Sequence, residues 1–187
     1  MIRAMALNET EMQIRDLVAG RLASLPSGSA NIAATVGALA ELGILAVPLP
    51  EAMGGMGEGI GNAALLLEPL GLHASVTPYL ETVCVPAAVA SLYPAFAPLG
   101  AALGSAVGGG RGAVMAWMER ERGWSRTPTR TTAVQNGGKW VVSGHKTLVR
   151  CADFAEAFLL TAAVKGVPAL FWLPAVTKGV ALTHYRS

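Results

Sequence analysis

Apolar residues recur at helical spacing through the first half of the chain and in short strand-like runs after it. Ile14, Leu17, Val18, Leu22 and Leu25 fall three or four positions apart, which predicts one helix with a single apolar face. Asn8 followed three positions later by Glu11 predicts its capped start, and Pro26-Ser27-Gly28 its end. A second helix is expected from Asn31 to Leu42, with Ile32, Val36, Leu39 and Leu42 inward and Gly43 as its stop. Pro48, Pro50 and the glycines at 54, 55 and 57 forbid regular structure from Ile44 to Gly57, so an ordered loop is expected there. A third helix covers Gly59 to Leu70. Thr77-Pro78 reads as an N-cap with proline at the first helical position, opening a fourth helix through Ala90 that Pro86 should kink.

From Gly112 the period shortens. Ala113 to Met118, Thr131 to Gln135, Lys139 to Val142, Phe158 to Val164, Ala169 to Leu173 and Val180 to Thr183 are predicted strands. Asn136-Gly137-Gly138 is a hairpin signal, and Lys165-Gly166 and Lys178-Gly179 separate the later runs. These strands are expected to pair antiparallel. Helices first and strands after make the fold class α+β: an N-terminal all-α helical bundle, residues 1–110, followed by part of an antiparallel β-barrel or sandwich domain, residues 111–187.

Composition changes this picture in two places. Charged residues make up 14% of the chain, against about 25% in an average soluble domain, so either an Ala/Gly-rich bias or a surface covered by a partner is at work. Thr82 to Gly110 carries no charge, yet three prolines and a closing Gly108-Gly109-Gly110 favour buried, interrupted helices over a membrane span. The net charge of +2 is scattered, with no basic run of the kind nucleic-acid binders use. Cys84 and Cys151 match no metal or redox spacing and suit a reducing, cytoplasmic setting, and the three histidines form no ligand cluster, so no metal is expected. Neither nucleic acid nor membrane is expected as a partner.

Motif chemistry is sparse. Gly59-Ile60-Gly61-Asn62-Ala63-Ala64 fits a loose dinucleotide fingerprint, but the prolines upstream break the strand it requires, so it reads as a structural turn. Glu51, Glu68, Glu81, Glu119 and Glu156 are each isolated, and no pair sits at acid/base spacing on one helix face. No serine or cysteine lies in a nucleophile motif. The residues alone therefore nominate no catalytic group.

The order of four segments resembles the acyl-CoA dehydrogenase family. These are Glu41 to Pro48 running into Glu51-Ala52-Met53-Gly54-Gly55-Met56-Gly57, then Glu68-Pro69-Leu70-Gly71, then Trp140 to Lys146, and last Phe158 to Pro174 followed by Lys178-Gly179-Val180. The resemblance implies a helical domain and the first half of a middle β domain. It implies FAD as cofactor and an acyl-CoA thioester as substrate. It also implies a carboxylate base supplied by a C-terminal helical domain, and an oligomer, either of like copies or with a second acyl-CoA-dehydrogenase-like subunit. No residue of this chain is nominated as catalytic.

The family's first FAD segment usually reads Thr-Glu-Pro-x-x-Gly-Ser. Here Trp117, Met118, Glu119, Gly123 and Ser125 occupy that place, Met118 standing where a hydroxyl is usual. The second usually reads Lys-x-Trp-Ile-Thr, and here it is Lys146-Thr147-Leu148-Val149-Arg150. Leu148 stands for the aromatic and Arg150 for the threonine. The resemblance thus implies Trp117, Met118, Gly123, Ser125, Leu148 and Arg150 as the residues facing the cofactor, with weakened binding. It further implies that the fourth helix helps wall the acyl pocket.

Overall fold

At the first helix, α1 (Glu9–Ala23), the capping box forms as its spacing predicts. The Asn8 side chain accepts from the Glu11 amide at 2.9 Å, and the Glu11 carboxylate accepts from the Asn8 amide at 2.6 Å. This computed structural model describes residues 7–26, 32–57, 59–120 and 130–185. They form two compact units, Met1–Gly110 and Arg111–Ser187.

In the first unit α1 buries Val18 and Leu22 and leaves Leu17 exposed, so its apolar face is narrower than the spacing suggested. α2 (Ile32–Glu41) buries Thr35, Ala38 and Leu39, and Gly43 follows in the left-handed region. The proline-glycine loop is ordered by two 3₁₀ turns, Ile44–Ala46 and Glu51–Met53, and sends Ile44, Leu45, Val47 and Leu49 into the core. Gly55 is required there. A methyl group on it would fall inside the Leu49 carbonyl.

The expected third helix divides into a 3₁₀ stretch, Gly59–Ala63, and α3 (Ala64–Leu72). The fourth does not simply kink at Pro86. Leu80–Cys84 opens into a π turn in which the Val85 amide reaches back five residues to Leu80, and α4 (Val85–Leu92) follows with Pro86 in its first turn. Proline has no amide to donate and its ring collides with the carbonyl four residues back, and a widened turn relieves both conflicts. The uncharged stretch ends in α5 (Ala97–Val107), which buries Leu99, Ala102, Leu103 and Ala106. Among the described residues no helix is long and apolar enough to cross a membrane.

The described residues of the second unit form a five-stranded sheet of β1 (Gly112–Ala116), β2 (Thr132–Asn136), β3 (Lys139–Ser143), β4 (Ala155–Val164) and β5 (Val167–Pro174). Two hairpins are antiparallel, as expected. Asn136 pairs Lys139 across Gly137 and Gly138, both at positive φ, and Val164 pairs Val167 across Lys165 and Gly166, also both positive. The sheet as a whole is mixed rather than antiparallel throughout. β1 lies parallel to β4, and Thr132 of β2 bridges Ala163 of β4 in the parallel sense. β1 is buried at nearly every position, as a parallel strand covered on both faces must be. The expected strand at Val180 to Thr183 does not form. That segment is irregular, and only Val180 packs on the core of Val114, Ala116, Ala155, Phe158 and Leu160.

Candidate functional site

The segment after β1 and the segment after β3 lie side by side, although about 30 positions separate them in sequence. The Thr147 amide donates to the Met118 carbonyl at 2.9 Å, and the Lys146 ammonium reaches the Trp117 carbonyl at 3.4 Å. The two segments that the resemblance assigns to a cofactor are therefore joined.

The junction is a buried ion pair. Lys146 Nζ lies 2.7 Å from Glu119 Oε1, with the two side chains 6% and 7% exposed. Glu119 accepts from every side. Oε2 takes the Arg130 amide at 2.7 Å, and Oε1 takes the Thr131 amide at 3.0 Å and the Thr131 hydroxyl at 2.7 Å. Lys146 also donates to the Thr161 hydroxyl on β4 at 3.0 Å. Stripping two ions of water is costly, and such a pair persists only where the remaining donors and acceptors are met as they are here. By spacing Glu119 is one isolated glutamate among five, and the resemblance places it in the first FAD segment without a partner of its own. Its partners lie 11, 12 and 27 positions away, beyond the reach of any periodicity.

Of the residues the sequence nominated, Trp117 and Met118 are half-buried beside this pair, and Leu148 and Arg150 are exposed. Gly123 and Ser125 lie outside the described residues. Leu148 and Cys151 both take left-handed φ, 50° and 56°, a conformation that non-glycine residues rarely adopt. Leu148 and Arg150 line a concavity of about 970 Å³ together with Trp140, Phe158, Leu173 and Val180. Trp117 and Met118 are not among its lining. Trp140 meets Phe171 edge-on, with ring centres 5.3 Å apart.

The described residues do not fit a flavin in the manner the resemblance implies. The Met118 thioether donates no hydrogen bond, its carbonyl is taken by Thr147, and Leu148 offers a 65%-exposed aliphatic chain where a flat ring is usual. The ammonium of the second segment points inward to Glu119 rather than outward to a phosphate.

Glu119 is not available here as a proton-abstracting carboxylate, since both of its oxygens are hydrogen-bonded and buried. In the helical unit, burial pushes the Cys84 thiol up to about 12, and burial together with Cys84 pushes the Tyr79 phenol above its ordinary range. Neither is a ready nucleophile. Among the described residues no group of three or more His, Cys, Asp or Glu could hold a metal ion.

No family model matches the chain. A probable acyl-CoA dehydrogenase, YngJ of Bacillus subtilis (strain 168), is 26% identical over 162 residues, covering 78% of this chain and 40% of that one. The steroid ACAD Tcur3481–Tcur3483, as its G363A variant, is 28% identical with a TM-score of 0.78 over 91% of this chain and 49% of that one. The ChsE4–ChsE5 complex from Mycobacterium tuberculosis is 26% identical with a TM-score of 0.76 over 97% of this chain and 51% of that one. An acyl-CoA dehydrogenase complexed with FAD from Bacillus anthracis, 18% identical, shares the fold with a TM-score of 0.80 over 100% of this chain and 34% of that one. The chain thus spans about half the length of the first two solved structures and 40% of the curated relative. Segment order, fold and these likenesses agree: the chain is similar in sequence and fold to acyl-CoA dehydrogenases, and its architecture matches their N-terminal helical and middle β domains.

Proposed function

We propose that this chain is a component of an FAD-dependent acyl-CoA dehydrogenase that oxidises the α,β carbon–carbon bond of an acyl thioester in the cytoplasm. The carboxylate that takes the α-proton comes from a C-terminal helical domain or from a partner, either another copy or a second acyl-CoA-dehydrogenase-like subunit. FAD, where the assembly holds it, is the two-electron acceptor. The chain's own part is to wall the acyl pocket with the Tyr79–Ala90 helix and to present the Trp117–Met118 and Leu148–Arg150 segments. Glu119 does not serve as the base, because its oxygens are committed to Arg130, Thr131 and Lys146. Without a base the 187 residues alone turn over no acyl-CoA above background, since losing a general base removes about 10²–10⁴ of rate.

A second reading, a non-catalytic partner that completes another subunit, is favoured by one observation: Met118 and Arg150 stand where the family has hydroxyls and Leu148 where it has an aromatic. Two lost hydrogen bonds cost about 1–3 kcal/mol. The lost aromatic face costs about 0.5–1.5 kcal/mol more. Together these reach roughly one to three powers of ten in affinity. The test is absorbance in the flavin bands of the purified single chain, compared with its Leu148→Trp/Arg150→Thr variant. Little or no colour in the unmodified chain, with colour gained by the variant or on adding a partner, supports the proposal. Stoichiometric yellow protein from the unmodified chain alone overturns the weakened-site reading.

A further inference from the structure

The Glu119 carboxylate does more than neutralise a buried lysine. Its two oxygens hold two successive amides, Arg130 at 2.7 Å on Oε2 and Thr131 at 3.0 Å on Oε1. Arg130 and Thr131 immediately precede β2, so one side chain from the segment after β1 holds the two residues that lead into β2. Oε1 simultaneously takes Lys146, three residues past the end of β3, whose next amide donates to Met118. Thr161 on the long central strand receives the same ammonium at 3.0 Å. Four stretches distant in sequence converge on two side chains, both more than nine-tenths buried.

We propose that Glu119 is a positioning residue, and that its pair of acceptor oxygens, with Lys146, fixes the spacing between the Trp117–Met118 and Thr147–Arg150 segments. The geometry needs two acceptors on one planar group. A glutamine would offer one acceptor and one donor, so it could hold either amide but not both. A neutral pair could restore burial without restoring this double acceptance. That distinction separates a positioning role from mere neutralisation of buried charge. The lock stands on these contacts alone. What it presents to a ligand rests on the function proposed above.

The experiment is amide hydrogen exchange on the full 187-residue chain, resolved at Arg130, Thr131 and Thr147, with thermal melting in parallel. Three proteins are compared: the unmodified chain, Glu119→Gln, and Glu119→Gln combined with Lys146→Met. In the single variant, exchange at Arg130 or Thr131 rises roughly five- to tenfold, the effect of one lost hydrogen bond, while Leu159 and Leu160 of β4 stay protected. In the double variant the melting temperature recovers most of the way, yet the same amide stays fast. The double variant also keeps the question answerable if the single one fails to fold. Unchanged exchange at both amides in the single variant overturns the proposal. So does full recovery of both in the double variant, which would show that charge burial alone mattered. No arm uses flavin, so failure of the cofactor reading would show in the colour test and leave this result standing.

Discussion

Replacing Lys146 by Met removes the ammonium while keeping most of the side-chain volume, so the cost is electrostatic rather than a cavity. Both partners are shielded, at 6% and 7% exposure, and solvent screening offers little relief. Breaking a buried pair by deleting one member costs about 3–5 kcal/mol, because the survivor is left charged and unpaired. Glu119 would still accept from the Arg130 amide and from the Thr131 amide and hydroxyl, which places the loss near the lower end, about 3 kcal/mol. If Arg111–Ser187 unfolds as its own unit, each kcal/mol moves the midpoint by about 4–8 °C, so Lys146→Met should lower it by about 12–24 °C. The assay is a thermal melt followed by circular dichroism, with Glu119→Gln/Lys146→Met as the comparison. The double variant loses one amide contact, about 1 kcal/mol, and so melts well above the single one. A fall of less than about 4 °C for Lys146→Met would refute the reasoning, because it would mean the pair is worth no more than a surface contact.

Three further predictions rest on packing and on the two cysteines. Gly144→Ala should destabilise the β unit by about 2–4 kcal/mol in urea unfolding, because the new methyl would lie 2.6 Å from the Thr131 Cα and would press Thr131 away from Glu119. A wild-type midpoint would contradict the close approach. Thiol titration at pH 8 should find Cys151 reactive and Cys84 silent until the chain is denatured, since Cys84 is fully buried and its thiol is pushed up to about 12. Because that folded value lies above the ordinary 9.0, the unfolded chain loses its proton first. Stability should therefore fall as pH rises from 9 towards 12, and Cys84→Ala should flatten the decline. Two equivalents of reactive thiol in the native protein would contradict this.

Local rules were legible in the sequence, and contacts between distant segments were not. The capping box at Asn8 and Glu11, the two glycine-containing hairpins and the ordered proline-glycine loop depend on neighbours within a few positions, and all formed. Pro86 predicts a kink, and a widened turn forms instead; both answer the same steric conflict, and the composition does not choose between them. The parallel pairing of β1 with β4 was invisible because a buried apolar strand reads the same in either direction. Val180 to Thr183 has strand-like composition but pairs with no strand among the described residues. The lock around Glu119 was missed for a related reason. The family segment marks Glu119 as a motif residue, but what its carboxylate does is defined only once Lys146, Arg130 and Thr131 are brought to it.

The parallel pairing of β1 has a consequence for how the chain is made. Arg111, at the mouth of β1, clasps the carbonyl of Ala155, 44 residues further along. A ribosome adding about 5–20 residues per second needs roughly 2–9 s to cover that distance. Throughout that interval the helical unit is complete and free to fold, while Gly112–Ala116, five apolar residues with no partner strand, trails behind it. The hairpin of β4 and β5 closes almost as soon as it emerges. The N-terminal strand must wait for it, exposed to whatever other edge the nascent chain encounters. Slower translation between β1 and β4 should therefore lower the soluble yield of this chain, whereas slower translation within the helical unit should not.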